Sequence, residues 1–198
     1  MFYSLLKIFF RLFFKIIFRT KVIGLENIPK DGGIILAANH LSNWDPPFLA
    51  TFFDRKVNYM AKEELFKNKI FATAIRNLGV FPVKRGKADK DAIKHAIKLI
   101  KSGDCLGIFP EGTRSKTGEV GKAEPGVTLI AAMTKAPIIP AAIINTNKIF
   151  SSDKFFPQLA VVYGKPMNFS GSLKDKEALE IFSQSIMEEI KKLMQNVE

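Results

Sequence analysis

The sequence predicts an α/β fold, a single-domain mixed sheet flanked by helices, and three observations carry that expectation. Apolar runs of strand length alternate with longer segments whose apolar residues recur at helical spacing. At 198 residues and 47% hydrophobic composition, the chain has enough apolar surface for one sizeable core and too much for disorder. No internal repeat or low-complexity linker divides it, so residues 20–198 read as one domain preceded by a helix over residues 1–19.

That first helix is amphipathic in an unusual way. From Met1 to Arg19 the apolar residues are nearly continuous and include Phe2, Phe9, Phe10, Phe13, Phe14 and Phe18, a third of the chain's 18 phenylalanines. Lys7, Arg11, Lys15 and Arg19 interrupt them every fourth residue. At about 100° per residue each such step advances only about 40°, so the cations form one slowly drifting stripe. Magnitudes decide between crossing a membrane and lying on it. Twelve Leu, Ile and Phe contribute roughly −4 to −7 kcal/mol to insertion, while four central Lys or Arg cost roughly +10 to +14. Spanning loses, and an interfacial helix with its phenylalanines at the acyl–headgroup boundary is expected. A cleaved secretory signal fits poorly, because cations sit inside the apolar run and no small-residue cleavage site follows. A helix packed on the protein's own core is the alternative reading.

Strands are then expected near 21–25, 33–39, 56–61, 80–84, 104–109, 137–144 and 159–164. Helices are expected near 47–53, 64–77, 89–101, 126–134 and 175–195. Gly33 to Ala38 reads as a buried strand ending at Asn39, and Asp45-Pro46-Pro47 as an N-cap followed by prolines in a helix's first turn. Lys90 to Ile100 alternates as an amphipathic helix, which puts His95 at an exposed position. Cys105 to Ile108 is an apolar run in which a buried, inert thiol is expected. The hydrophobic stretch around Ile138-Ile139-Pro140 fits a buried strand and also the wall of an acyl-chain tunnel. The last helix has Leu179, Phe182, Ile186, Ile190 and Leu193 at helical spacing and acidic residues in its first turn.

Two loops carry chemistry. In Asn39-His40-Leu41-Ser42-Asn43-Trp44-Asp45 an imidazole stands five positions ahead of a carboxylate. Five residues along a helix is a rotation of about 140°, which would point the two apart, so they must meet across a bend. His40 then lies at a strand's C-terminal end beside a helix N-terminus, where ligands of open α/β sheets collect. This is a candidate general base with its orienter; the alternative is a helix cap and a surface histidine. The second loop, Phe109-Pro110-Glu111-Gly112-Thr113-Arg114-Ser115, follows another strand. Gly112 admits close backbone approach, Thr113 and Ser115 offer hydroxyls, Arg114 offers a fork that matches phosphate oxygens, and Glu111 is placed to hold that guanidinium.

Taken together, Asn-His-x-Ser-x-x-Asp-Pro at residues 39–46 and Phe-Pro-Glu-Gly-Thr-Arg-Ser at residues 109–115 resemble the glycerolipid acyltransferases, in particular those acting on lysophosphatidic acid. Two further blocks match that family, Gly79 to Arg85 and Pro137 to Ile143. The resemblance runs from about residue 20 to 170, with one departure: Lys84 stands where the family often has Asp. It implies acceptor-phosphate contacts for Arg114, for Lys62 in Met60-Ala61-Lys62-Glu63-Glu64-Leu65, and for Arg85. It further implies transfer of a fatty acyl group from a thioester to the sn-2 hydroxyl of lysophosphatidic acid, giving phosphatidic acid. Acylation of glycerol-3-phosphate or another lysolipid, and lipid binding without catalysis, stay open as alternatives.

The chemistry coheres with that resemblance. An alcohol is a poor nucleophile at neutral pH, so attack on a thioester needs a base to take its proton. His40 can take it, with Asp45 fixing the tautomer. No serine or cysteine nucleophile is then required, and the chain has no Gly-x-Ser-x-Gly elbow. No cofactor is expected beyond an acyl-CoA or acyl carrier protein thioester as co-substrate. One Cys and two His without ligand spacing give no reason to propose a metal, and the familiar glycine-rich nucleotide loops are absent. Thirty basic against 19 acidic residues leave a net charge of +11, which suits anionic lipid surfaces and phosphate-bearing substrates. Nucleic acid is not expected as a partner, because the aromatic–basic signatures of RNA-binding sheets and zinc fingers are missing. The expected location is peripheral or monotopic on a membrane, on the cytoplasmic face.

Overall fold

The computed structural model describes residues 2–84, 89–151 and 155–195. Seven strands form one sheet: β1 (Lys21–Ile23), β2 (Ile34–Ala38), β3 (Val57–Lys62), β4 (Val80–Val83), β5 (Cys105–Ile108), β6 (Ile138–Ile144) and β7 (Ala160–Tyr163). Their order is β1-β7-β6-β2-β5-β3-β4; β6 and β7 are antiparallel and every other pair is parallel, so the sheet is mixed. The helices are α1 (Phe2–Ile17), α2 (Asp45–Phe52), α3 (Lys69–Asn77), α4 (Lys90–Lys101), α5 (Gly126–Thr134) and α6 (Lys176–Gln195).

Central strand β2 is buried along its whole length, which is why it reads as a continuous apolar run. Its alternate residues serve two cores. Ile34, Leu36 and Ala38 pack with Phe48 and Phe52 of α2 and with Phe14 and Phe18, whereas Ile35 and Ala37 pack with Ile100 of α4, Ile130 of α5 and Ile190 of α6. The connections β2-α2-β3 and β3-α3-β4 step one way across the sheet, and β4-α4-β5 and β5-α5-β6 step back. Right-handed crossovers therefore put α2 and α3 on one face and α4 and α5 on the other. β2 lies between β5 and β6, where the chain reverses its direction of travel, and His40 leaves its C-terminal end at this switch point.

Two expectations need correction. The helix expected over 64–77 is a 3-10 turn at Glu63–Phe66 followed by α3, because Asn68 interrupts it and caps α3 by accepting from the N–H groups of Ile70 and Phe71. The six N-terminal phenylalanines do not form one exposed stripe. Phe14 and Phe18 are fully buried, Phe10 and Phe13 are half-buried, and Phe14 meets Phe48 edge-on with ring centroids 5.1 Å apart. The outward face of α1 is instead Leu5, Ile8, Phe9, Leu12 and Ile16, all more than half exposed. At about 100° per residue they fall within an arc of about 100°. Lys7 donates to the carbonyl of Phe53, and burial lowers its pKa. Periodicity shows that a helix has two faces, not which of two apolar faces meets the protein.

Candidate active site

His40 and Asp45 meet across a tight bend. Nδ1 of His40 lies 2.7 Å from Oδ2 of Asp45. The same oxygen accepts from the backbone N–H groups of Leu41, at 2.6 Å, and Ser42, at 2.7 Å. Oδ1 accepts from the hydroxyl of Thr146 at 2.5 Å. Asp45 is fully buried, and its four donors fit an ionised carboxylate, which only accepts. Because Oδ2 is an acceptor, Nδ1 carries the proton in the neutral ring and Nε2 keeps a free lone pair.

The sequence accounts for this bend. Asp45 was expected to cap its helix, but Trp44 is the N-cap and Asp45 the first helical residue, with its carboxylate turned back on the preceding loop. Pro46 and Pro47 explain the change, since neither has an N–H for a capping carboxylate to accept from. The carboxylate is thereby left for His40. Asn39 pins the strand end: its side chain donates to the carbonyl of Ile143 and accepts from the N–H of the same residue in β6.

The imidazole is also held by its face. Phe109 stacks on it with centroids 4.1 Å apart and a 17° interplanar angle, and Tyr59 lies parallel to Phe109 at 6.0 Å. Gly107 makes this stack possible, because a β-carbon there would collide with the Tyr59 ring. The 109–115 loop is tied to the histidine loop by the N–H of Ser115, which donates to the His40 carbonyl at 2.8 Å, and by Arg114, which donates to Asn43 at 3.1 Å. Gly112 has φ +66°, a left-handed conformation that favours glycine, and its N–H closes a turn to the Phe109 carbonyl.

Glu111 does not hold Arg114 as expected. Its carboxylate accepts from the N–H of Gly121 at 3.4 Å, and no Glu111–Arg114 ion pair occurs among the described residues. Burial raises its pKa; the N–H groups of Gly121 and His40 oppose the rise. Thr113 and Arg114 are exposed at the site's rim, and Ser115 accepts from the N–H of Gly118. Lys62 is exposed at the end of β3, two strands from β2 and so about 10 Å across at ~4.8 Å per strand. Arg85 lies outside the described residues; it follows β4, the next strand beyond β3. The strand order thus sets Arg114, Lys62 and Lys84 in succession along one edge of the sheet's C-terminal end.

Other reactive groups stand apart. Cys105 is buried in β5, and desolvation pushes its thiol up to about 12. His95 is exposed on α4 against Phe81. Among the described residues no cluster of His, Cys, Asp or Glu could hold a metal ion. Thr146 and Asn39 were missed by the sequence reading. Asn145, left-handed at φ 66°, was the available signal, since it turns the chain after β6 and places Thr146 in a short 3-10 turn facing Asp45.

The chain as a whole is similar to known proteins. Residues 19–144 match the family model described as Acyltransferase. A Bacillus subtilis protein named 1-acyl-sn-glycerol-3-phosphate acyltransferase is 35% identical over 88% of this chain and 87% of its own length. A chloroplastic Brassica napus protein of the same named activity is 33% identical over 67% of this chain, which spans 39% of that longer protein. The crystal structure of the 1-acyl-sn-glycerophosphate (LPA) acyltransferase from Thermotoga maritima superimposes with a TM-score of 0.74 at 26% identity, covering 98% of this chain and 79% of that one. A family model spanning well over half of the chain, and a relative matching nearly all of it, lead to one conclusion: this chain belongs to the acyltransferase family.

Proposed function

We propose that this chain transfers a fatty acyl group from an acyl-CoA or acyl carrier protein thioester to the sn-2 hydroxyl of lysophosphatidic acid, giving phosphatidic acid. The observation that carries the reading is the 2.7 Å contact between His40 and a fully buried Asp45, which leaves Nε2 free at the end of the central strand. Nε2 takes the hydroxyl proton as the oxygen attacks the thioester carbon, and the C–S bond breaks as the tetrahedral species collapses. The thiolate leaves with a proton returned by the imidazolium, so His40 ends the cycle neutral. Arg114 and Lys62, with Arg85 as a third cation, bind the acceptor phosphate. Glu111, Gly112, Thr113 and Ser115 shape the loop that presents Arg114. The exposed apolar arc of α1, bordered by Lys15, lies on an anionic membrane surface. Among the described residues no helix is long and apolar enough to cross a membrane.

A donor-by-acceptor matrix with purified protein tests the assignment. Turnover is expected with lysophosphatidic acid in preference to glycerol-3-phosphate and zwitterionic lysolipids. Equal or better turnover with another acceptor would reassign the substrate, and no transfer to any acceptor would remove the activity.

Thr146 is a positioning residue in this scheme. Removing its hydroxyl by Thr146→Val leaves one oxygen of a buried carboxylate without a partner, at a cost of about 1–3 kcal/mol. We expect a lower Tm, and also a kcat reduced about tenfold because the carboxylate can turn away from His40. Thr146→Ser restores both. A Tm loss with unchanged kcat would make Thr146 purely structural.

A further inference from the structure

We propose that the turn Glu63–Phe66 and helix α3 form a second lipid-docking element, which with α1 seats the molecule on an anionic bilayer with His40 between the two contacts. The inference deepens the acyltransferase reading, since it rests on an acceptor that resides in a leaflet.

Helix α3 is poorly explained by the core. It buries only Ala72, while Ile70 is 85% exposed and Phe71 49% exposed, and Leu65 just before it is 47% exposed. Its geometry is nevertheless fixed: the Asn68 side chain caps the N–H groups of Ile70 and Phe71 themselves, so these two side chains are held outward by a defined helix start. Single exposed apolar residues are ordinary on a protein surface. Three within seven residues, one on the turn and two on a helix with a single buried side chain, are not.

Charge and topology select the occupant. From Lys62 to Arg76 there are four cations, Lys62, Lys67, Lys69 and Arg76, against two carboxylates, Glu63 and Glu64. Apolar side chains set among exposed lysines match an anionic headgroup layer over acyl chains. Right-handed crossovers put α3 on the sheet face that also carries α2, and α1 packs on that helix through Phe14, Phe48 and Phe52. Helices α1 and α3, which carry these exposed side chains, therefore lie over the same face of the sheet. Around the C-terminal strand ends, β6 and β3 lie on opposite sides of β2. After β6 come the exposed rings of Phe150, Phe155 and Phe156, with Phe150 and Phe156 about Phe18 at the base of α1; after β3 come Leu65, Ile70 and Phe71. His40 sits between these outcrops. One surface helix alone leaves the body free to roll about its axis. A second contact fixes the roll and turns the strand ends toward the leaflet, so that a lysolipid hydroxyl reaches Nε2 without leaving the membrane.

The test uses the full chain. Because Cys105 is buried, an environment-sensitive thiol dye can be placed selectively at Ile70→Cys, with Glu180→Cys on α6 of the opposite face as control. With vesicles of mixed phosphatidylglycerol and phosphatidylcholine, the dye at position 70 is expected to shift to the blue and the dye at position 180 is not. The double variant Ile70→Ser/Phe71→Ser is expected to bind these vesicles at least about tenfold more weakly, while its turnover of a short-chain, water-soluble lysophosphatidic acid stays at the wild-type level. No shift at position 70 in vesicle-bound protein, or wild-type vesicle affinity in the double variant, overturns the proposal. So does a double variant that keeps vesicle affinity and loses transfer from a carrier-protein thioester, which would assign the face to the donor. Absence of turnover with any lysolipid in the wild type would instead sink the acyltransferase reading, and the dye measurement would stand apart from it.

Discussion

Asparagine in place of Asp45 is expected to slow acyl transfer by about 10- to 150-fold while the chain stays folded. The size follows from what the amide can and cannot replace. The N–H groups of Leu41 and Ser42 both point at Oδ2, so an asparagine would keep its oxygen on the His40 side and turn its NH2 toward Thr146, whose hydroxyl can accept. His40 then retains its tautomer. What is lost is the negative charge facing the imidazolium that forms as the hydroxyl proton is taken. A hydrogen bond to a charged group is worth about 1.5–3 kcal/mol, which converts to the range given. In hydrolase triads the corresponding change costs about 10⁴-fold because the wrong tautomer results. A loss of that size here would show that the backbone donors do not control the amide's orientation, whereas wild-type kcat would show that Asp45 does not act through His40. Nitrogen chemical shifts of the His40 ring separate these cases.

The same geometry shows which parts of the site were legible in sequence. His40 and Asp45 are five residues apart, and the need for a bend followed from helix geometry alone. The centre of the sheet was legible because its strands are short apolar runs: β2 and β6 are buried almost throughout, so their hydrophobic character does not depend on knowing their neighbours. Thr146 and Asn39 were not legible, since the first reaches Asp45 across 101 positions and the second reaches β6 across 104. Asn145 beside Thr146 marks a turn, but nothing local to either residue names its distant partner. Asp45 was misread as a cap because its sequence neighbourhood is that of a helix start, and only the missing N–H groups of Pro46 and Pro47 argue otherwise. The N-terminal helix shows a third limit. Both of its long faces are apolar, and tertiary packing, which periodicity does not encode, turned Phe14 and Phe18 inward and the arc of Leu5, Ile8, Phe9, Leu12 and Ile16 outward.

The stack of Tyr59, Phe109 and His40 fixes the ring, and Thr146 and the backbone of Leu41 and Ser42 fix the carboxylate, at the C-terminal end of the central strand. The proposed reaction then depends on one nitrogen.

Turnover of the His40→Ala variant at saturating thioester and lysophosphatidic acid tests that dependence most directly. In the proposed reaction the imidazole accepts the substrate proton in the step where the new ester bond forms, and a positioned base contributes about 10²- to 10⁴-fold. The substitution is mild for the fold: Asp45 keeps its contacts with Leu41, Ser42 and Thr146, and the ring it loses stacks on Phe109 without anchoring another element. We therefore expect kcat to fall by about 10²- to 10⁴-fold, with the acceptor KM, the circular dichroism spectrum and vesicle binding close to those of the wild type. A folded His40→Ala protein that turns over within about threefold of the wild type would contradict the account.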